Sequence, residues 1–164
     1  MSSIQDFYHI IWNNIKSSDK VFYFDSSKNK KNYKSLYYDI NSLSNIFSDQ
    51  TNELTVILAK KNYHHYCAII TTVLSGNTWV PLSLDNPLER NLNIIRNLRP
   101  SILITDQQLS DETEFILNQL NIKTYFINDY INKDETKRDC NFQFNFKKND
   151  LSMIFFTSGS TGEP

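Results

Sequence analysis

Hydrophobic positions along the chain switch repeatedly between a helical and an extended period. Ile4, Phe7, Tyr8, Ile11, Trp12 and Ile15 recur at spacings of three and four, one apolar face of a helix, and Asp19 follows as the chain turns. Val21 to Phe24 reads as a short strand, and residues 25–32 as a polar hairpin loop. From Lys34 the helical period returns, with Leu36, Ile40, Leu43, Ile46 and Phe47 on one stripe. Residues 54–59 (LTVILA) are a continuous apolar run, the pattern of a strand covered on both faces. A helix is expected from about His64 to Leu74, ended by Gly76. A short strand over 78–82 follows, interrupted by Pro81. Pro87 opens a helix carrying Leu88, Leu92, Ile95 and Leu98, and Pro100 closes it.

Residues 101–105 (SILIT) predict a second buried strand, followed by a helix near 112–120 and a strand near 123–127. Residues 128–148 are polar and irregular, with Phe142, Phe144 and Phe146 in alternation. A last buried strand is expected over 151–157 (LSMIFFT), with Asp150 as the turn residue before it. Strands alternating with helices argue for an α/β fold, layered, with a mostly parallel sheet and flanking helices. Strands 54–59 and 101–105 should lie inside that sheet.

Composition narrows the functional classes. The chain has 164 residues, of which 40 % are hydrophobic and 21 % charged, enough apolar surface for a core. The formal net charge of −1 gives no electrostatic reason to expect nucleic acid or an anionic membrane as partner. Lys28, Lys30, Lys31 and Lys34 cluster, and read as a solvated loop between two elements. Cys67 and Cys140, the only cysteines, stand in no metal-ligand spacing and read as small buried or half-buried residues. No metal-binding residues are proposed. Residues 1–7 are polar and mixed, with no secretory signal visible, so a reducing, cytoplasmic setting is the expectation. His64 and His65 sit at a helix start and point to different faces, and Trp12 and Trp79 are packing residues.

Only three glycines occur, and two fall in the last six residues. There an apolar strand runs into Thr157, Ser158, Gly159, Ser160, Thr161 and Gly162. Glycines let a backbone approach a ligand closely, consecutive N–H groups in such a turn form a concave anion site, and hydroxyls rotate to meet phosphate oxygens. The loop lacks the Gly-Lys-Ser/Thr ending of a Walker A sequence. By composition alone, a Ser/Gly stretch is also what a flexible linker looks like.

The stretch TSGSTG-x-P after an apolar strand resembles the signature loop of the adenylate-forming superfamily, which includes the adenylation domains of nonribosomal peptide synthetases, acyl-CoA synthetases and luciferase. Residues 74–90 (LSGNTWVPLSLDNPLER) are similar to that family's LKAGxAYVPLDPxxPxER segment, with Gly76, Val80, Pro81, Leu82, Pro87, Glu89 and Arg90 in register. Residues 33–36 (YKSL) resemble its TYxEL segment with Ser35 in place of the usual Glu, and residues 100–106 (PSILITD) fit the strand that follows. Asn77, Thr78, Trp79 and Ser83 depart from the pattern. The form VPLSLDNPLER resembles amino-acid adenylation domains more than acyl-CoA synthetases.

This resemblance implies that residues 1–164 are the N-terminal portion of an AMP-dependent synthetase/ligase domain, truncated within its phosphate-binding loop. It implies ATP with Mg2+, a small carboxylate substrate activated as an acyl-adenylate, and a carrier protein or coenzyme A as acceptor. Thr157, Ser158, Gly159, Ser160, Thr161 and Gly162 would hold the ATP phosphates. No catalytic residue is expected within the 164 residues, because the family's ribose-binding Asp, hinge and catalytic Lys match nothing here; the isolated chain should be inactive. Within the enzyme class an acyl-CoA synthetase is the alternative, and outside it a non-catalytic remnant or interaction module.

Overall fold

The structure, a computed structural model, describes residues 4–47, 51–131, 142, 147 and 149–157. Helix α1 (Ile4–Ser17) leads into the antiparallel hairpin of β1 (Val21–Phe24) and β2 (Lys30–Asn32), then α2 (Tyr33–Leu43). The helical stripe expected to continue to Phe47 breaks at Ser44 into a single tighter turn, Ser44–Phe47, where the Ser44 hydroxyl donates to the Asn41 carbonyl. The expected hairpin loop is shorter than its polarity suggested, because Lys30–Asn32 pairs with β1 as a strand.

Next come β3 (Leu54–Leu58), α3 (Tyr63–Leu74), β4 (Thr78–Leu82), α4 (Leu88–Leu98), β5 (Ile102–Thr105), α5 (Asp111–Gln119) and β6 (Lys123–Phe126). The four strands β3 to β6 form one parallel sheet in the order β4-β3-β5-β6. Both apolar runs lie inside it as expected. β3 and β5 have strand neighbours on each side and helices over both faces, so all their side chains but that of half-buried Leu54 are buried.

Alternation along the central strands sorts the core into two layers. Ile57, Ile102 and Ile104 pack with Trp12, Leu36, Ile40, Tyr63 and Cys67 of the first three helices. Val56, Leu58, Val80, Leu82 and Leu103 pack with Ile94 and Ile95 of α4 and Leu117 of α5. At about 25 cal/mol per Å² of apolar area, both layers contribute to holding the sheet between its helices. On α1, Trp12 and Ile15 are buried, whereas Phe7 is 56 % exposed, so the apolar face is narrower than its spacing suggested.

Among the described residues, three helix starts are capped by side chains, Asn32 accepting from Ser35 N–H, Asn62 from His65 N–H and Ser110 from Thr113 N–H. At the end of α3, Gly76 takes φ 77°, a left-handed turn that costs glycine nothing. Among the described residues no helix is long and apolar enough to cross a membrane.

Candidate functional site

The segment leading to the Ser/Gly loop departs from expectation in one respect. Residues 151–157 are not a strand buried on both faces. They run alongside β4, parallel to it, and pair through a single bridge, Met153 opposite Trp79. Trp79 N–H donates to the Ser152 carbonyl at 3.0 Å, Ile154 N–H donates to the Trp79 carbonyl at 3.1 Å, and the Thr78 hydroxyl donates to the Leu151 carbonyl at 2.8 Å. The next donor toward this segment from β4 would be the N–H of residue 81, and Pro81 has none. The ladder therefore stops after one bridge, while the pairing of β4 with β3 is intact over all five residues.

Ile154 and Phe156 face inward, against the layer that contains Val80 and Leu82. Leu151, Met153 and Phe155 point the other way and are 66 %, 41 % and 59 % exposed. The Phe155 ring meets the Trp79 indole edge-on at 5.6 Å between centroids. Asp150 is the expected turn residue: its carboxylate accepts from Lys147 N–H at 2.7 Å and its own N–H donates to the Lys147 carbonyl.

Because the segment runs parallel to the sheet, Thr157 leads off toward the carboxyl ends of the strands, where parallel α/β sheets bind their ligands. Thr157 is exposed. Ser158, Gly159, Ser160, Thr161 and Gly162 lie outside the described residues, as do Cys140, Phe144 and Phe146.

The same edge is organised by the stretch between β4 and α4. Asn91, 4 % exposed, donates through Nδ2 to the Ser83 carbonyl at 2.9 Å, and its Oδ1 accepts from Asn86 Nδ2 at 3.0 Å. Asp85 N–H donates to the Ser83 hydroxyl. Ser83 and Asn86, unremarkable as letters, are thus tied to the first turn of α4. Glu89 does not pair with Arg90; it meets Arg96 at 2.7 Å, an exposed contact worth little. Asn77, a departure from the family pattern, is buried and its side-chain carbonyl accepts from Glu53 N–H at 2.9 Å.

At the ends of β3 and β5, the Asp106 carboxylate accepts from Lys60 N–H at 3.2 Å and from the Gln107 amide at 2.6 Å. His65, on the first turn of α3, is buried, and its Nδ1 has no partner. Burial pushes its pKa below the ordinary value, Lys61 pushes the same way, and Asp106 opposes them. Cys67 is fully buried, and that burial pushes its thiol pKa well up. Tyr63 donates its hydroxyl to Asp39 at 2.7 Å, and burial raises its pKa too. The Tyr63–Asp39 hydrogen bond ties α3 to α2, and the Asp106 carboxylate ties the end of β5 to the backbone that leaves β3. Sequence reasoning missed Asn91, Asn62 and Asp106, whose only signal was a short polar side chain at a strand or helix end.

Residues 12–164 match the model of the AMP-binding enzyme family. The chain belongs to that family. A hybrid PKS-NRPS synthetase of Fusarium sp. is 30 % identical over 150 residues, 89 % of this chain and 4 % of that protein. The D-alanine–D-alanyl carrier protein ligase of Staphylococcus epidermidis is 29 % identical over 132 residues, 80 % of this chain and 25 % of that protein. The N-terminal subdomain of Klebsiella oxytoca NpsA, solved with 3-hydroxybenzoyl-AMSN, superposes with a TM-score of 0.76 at 17 % identity, over 100 % of this chain and 40 % of that one. The chain therefore has the fold of part of an N-terminal subdomain of an adenylate-forming enzyme, and it spans a quarter or less of the two relatives. The register of residues 74–90 with the family pattern now has a structural meaning, since that stretch is β4, the Asn91-tied turn and the start of α4.

Proposed function

We propose that this chain is the ATP-handling N-terminal portion of a ligase that activates an amino acid as its adenylate and passes it to a carrier protein. The observation that carries this reading is the course of residues 151–157, which lead from Trp79 toward the carboxyl ends of a parallel sheet and continue into Thr157-Ser158-Gly159-Ser160-Thr161-Gly162. The amino acid as substrate and a carrier as acceptor are supported by the two relatives, one a peptide synthetase hybrid and one an amino-acid carrier ligase.

In this reading the six loop residues bind the ATP phosphates. Backbone N–H groups and four hydroxyls donate to phosphate oxygens, and Gly159 and Gly162 let the backbone come close. Mg2+ would supply further charge compensation at those phosphates. Donors held in position and aimed at developing charge usually contribute most of the rate acceleration in such phosphoryl chemistry.

The test is made in a longer protein that carries these residues together with the rest of such an enzyme. Thr161→Val removes one hydroxyl and keeps the shape. Its loss should cost about 1.5–3 kcal/mol of transition-state stabilisation, the range for a hydrogen bond to a charged group, or about ten- to a hundredfold in adenylation rate. Gly159→Val blocks the approach of the phosphates and should cost more. Melting temperatures should stay within a degree or two of the parent. Adenylation at the parent rate by both variants would return the Ser/Gly stretch to a linker.

A further inference from the structure

The segment that leads to the Ser/Gly loop is held by less than its apolar letters suggest. Among the described residues, its main chain joins the sheet at the one bridge between Met153 and Trp79, and the Thr78 hydroxyl adds a hold on the Leu151 carbonyl. These main-chain contacts all lie at or before Ile154. Pro81 offers no N–H to continue the ladder. From the side of β4, it is therefore side chains that place residues 155 and 156.

Those side chains grip β4 from both faces. Val80 and Leu82 lie in the second core layer, and Ile154 and Phe156 pack against it. Trp79 points the other way and packs on the first layer. There the Phe155 ring meets the Trp79 indole at 5.6 Å between centroids and 77° between planes, the edge-on arrangement that ring quadrupoles favour. Trp79 is half-buried and seated on the core, whereas Phe155 is 59 % exposed, so the indole is the fixed member of the pair. Both Thr78 and Trp79 depart from the family pattern over this stretch.

We propose that Trp79, acting through Phe155, is a positioning residue for the phosphate loop. The indole fixes Phe155, and Phe155 fixes where Thr157 leaves the sheet. The proposal rests on the reading of residues 157–162 as that loop. Thr157 is only two residues beyond Phe155, about 7 Å of extended chain, so freedom at Phe155 passes directly to it. A loop with a loose root must be ordered when ATP binds, and that cost carries over unchanged into the transition state. Losing the contact therefore raises KM for ATP and leaves kcat as it is.

The test has two parts. In the 164-residue chain, hydrogen exchange followed by NMR reads the Ile154 N–H, which donates to the Trp79 carbonyl at 3.1 Å. Phe155→Ala should speed its exchange about two- to tenfold, the size of one aromatic pair, with the amides of Val56 and Leu103 in the middle of the sheet unchanged. In a longer protein that carries the rest of the enzyme, Phe155→Ala and Trp79→Leu should raise KM for ATP by about the same factor at constant kcat. Phe155→Tyr keeps the ring and should restore the parent KM. Phe115→Ala, which removes an exposed ring on α5, should change neither constant. Should Trp79→Leu melt early, Phe155→Ala, at an exposed position, still decides. Parent-like exchange at Ile154, a fall in kcat alone, no rescue by Phe155→Tyr, or the same shift from Phe115→Ala overturns the proposal. An unchanged KM while Gly159→Val is inactive overturns the positioning role and leaves the loop reading standing. Adenylation at the parent rate by Gly159→Val overturns both.

Discussion

Among the described residues, three buried polar side-chain atoms lack a partner: Thr55 Oγ1, His65 Nδ1 and Arg90 Nε. His65 is the one whose consequence depends on pH. Its folded pKa lies below the ordinary value of 6.5, chiefly through burial. The unfolded chain therefore binds the proton more readily than the folded one. The stability held by the neutral ring is fully present above the ordinary histidine range and is lost as pH falls through it. The melting temperature should drop between about pH 7 and about pH 5.5, and His65→Phe, which cannot titrate, should drop less over the same interval. Equal drops would assign the acid sensitivity to other groups. Cys67, at zero exposure, makes a second residue-scale case. Burial keeps its thiol protonated, and a neutral, inaccessible thiol is no nucleophile. Iodoacetamide should reach Cys67 only under conditions that unfold the chain, as peptide mapping after labelling would show.

Single elements owe their position to a few polar side chains at their ends. The entry to α4 is the clearest instance, because Pro87 makes no side-chain cap there and Asn91 supplies the tie to Ser83 and Asn86. Asn91→Ala leaves the Ser83 carbonyl and the Asn86 amide short of a partner, which should cost about 1–3 kcal/mol in urea unfolding. Asn93→Ala, on the exposed side of the same helix, should change stability by less than about 0.5 kcal/mol. A similar loss from both would mean that helix propensity, not the tie, sets the value. The same contrast marks what was legible in the letters. β3 and β5 were plain because an unbroken apolar run of strand length has few other uses, and the helices because their period repeats for two turns or more. β2 was hidden, since lysines carry little strand signal and its pairing is set by β1 across the turn. The segment 151–157 was half legible. Its apolar letters forecast an extended course, but Pro81 on the neighbouring strand decided how far it could pair, and a contact between residues more than seventy positions apart leaves no local pattern.

The molecule as a whole ends its parallel sheet on an unfinished edge. Past Trp79, Leu151, Met153 and Phe155 present apolar side chains to solvent on one face. Among the described residues, the segment's main-chain groups outward of that bridge have no strand beside them. An enzyme that makes adenylates must enclose adenine, ribose, phosphates and carboxylate together and exclude water from the reacting centre. The described residues bring only Thr157 of the six loop positions to the carboxyl ends of the sheet, and the chain covers 40 % of the solved N-terminal subdomain it superposes on. The 164-residue chain alone should therefore show no amino-acid-dependent exchange of pyrophosphate into ATP. A longer protein that includes it should show exchange that depends on the loop. The measurement is radiolabelled pyrophosphate exchange across a panel of amino acids and simple carboxylates, run on both proteins at equal concentration. Exchange by the short chain, abolished by Gly159→Val, would mean that the adenine, ribose and carboxylate contacts thought to be missing are dispensable or are supplied within these residues. Exchange by the longer protein with acyl carboxylates and with no amino acid would keep the adenylating role but overturn the proposed substrate class.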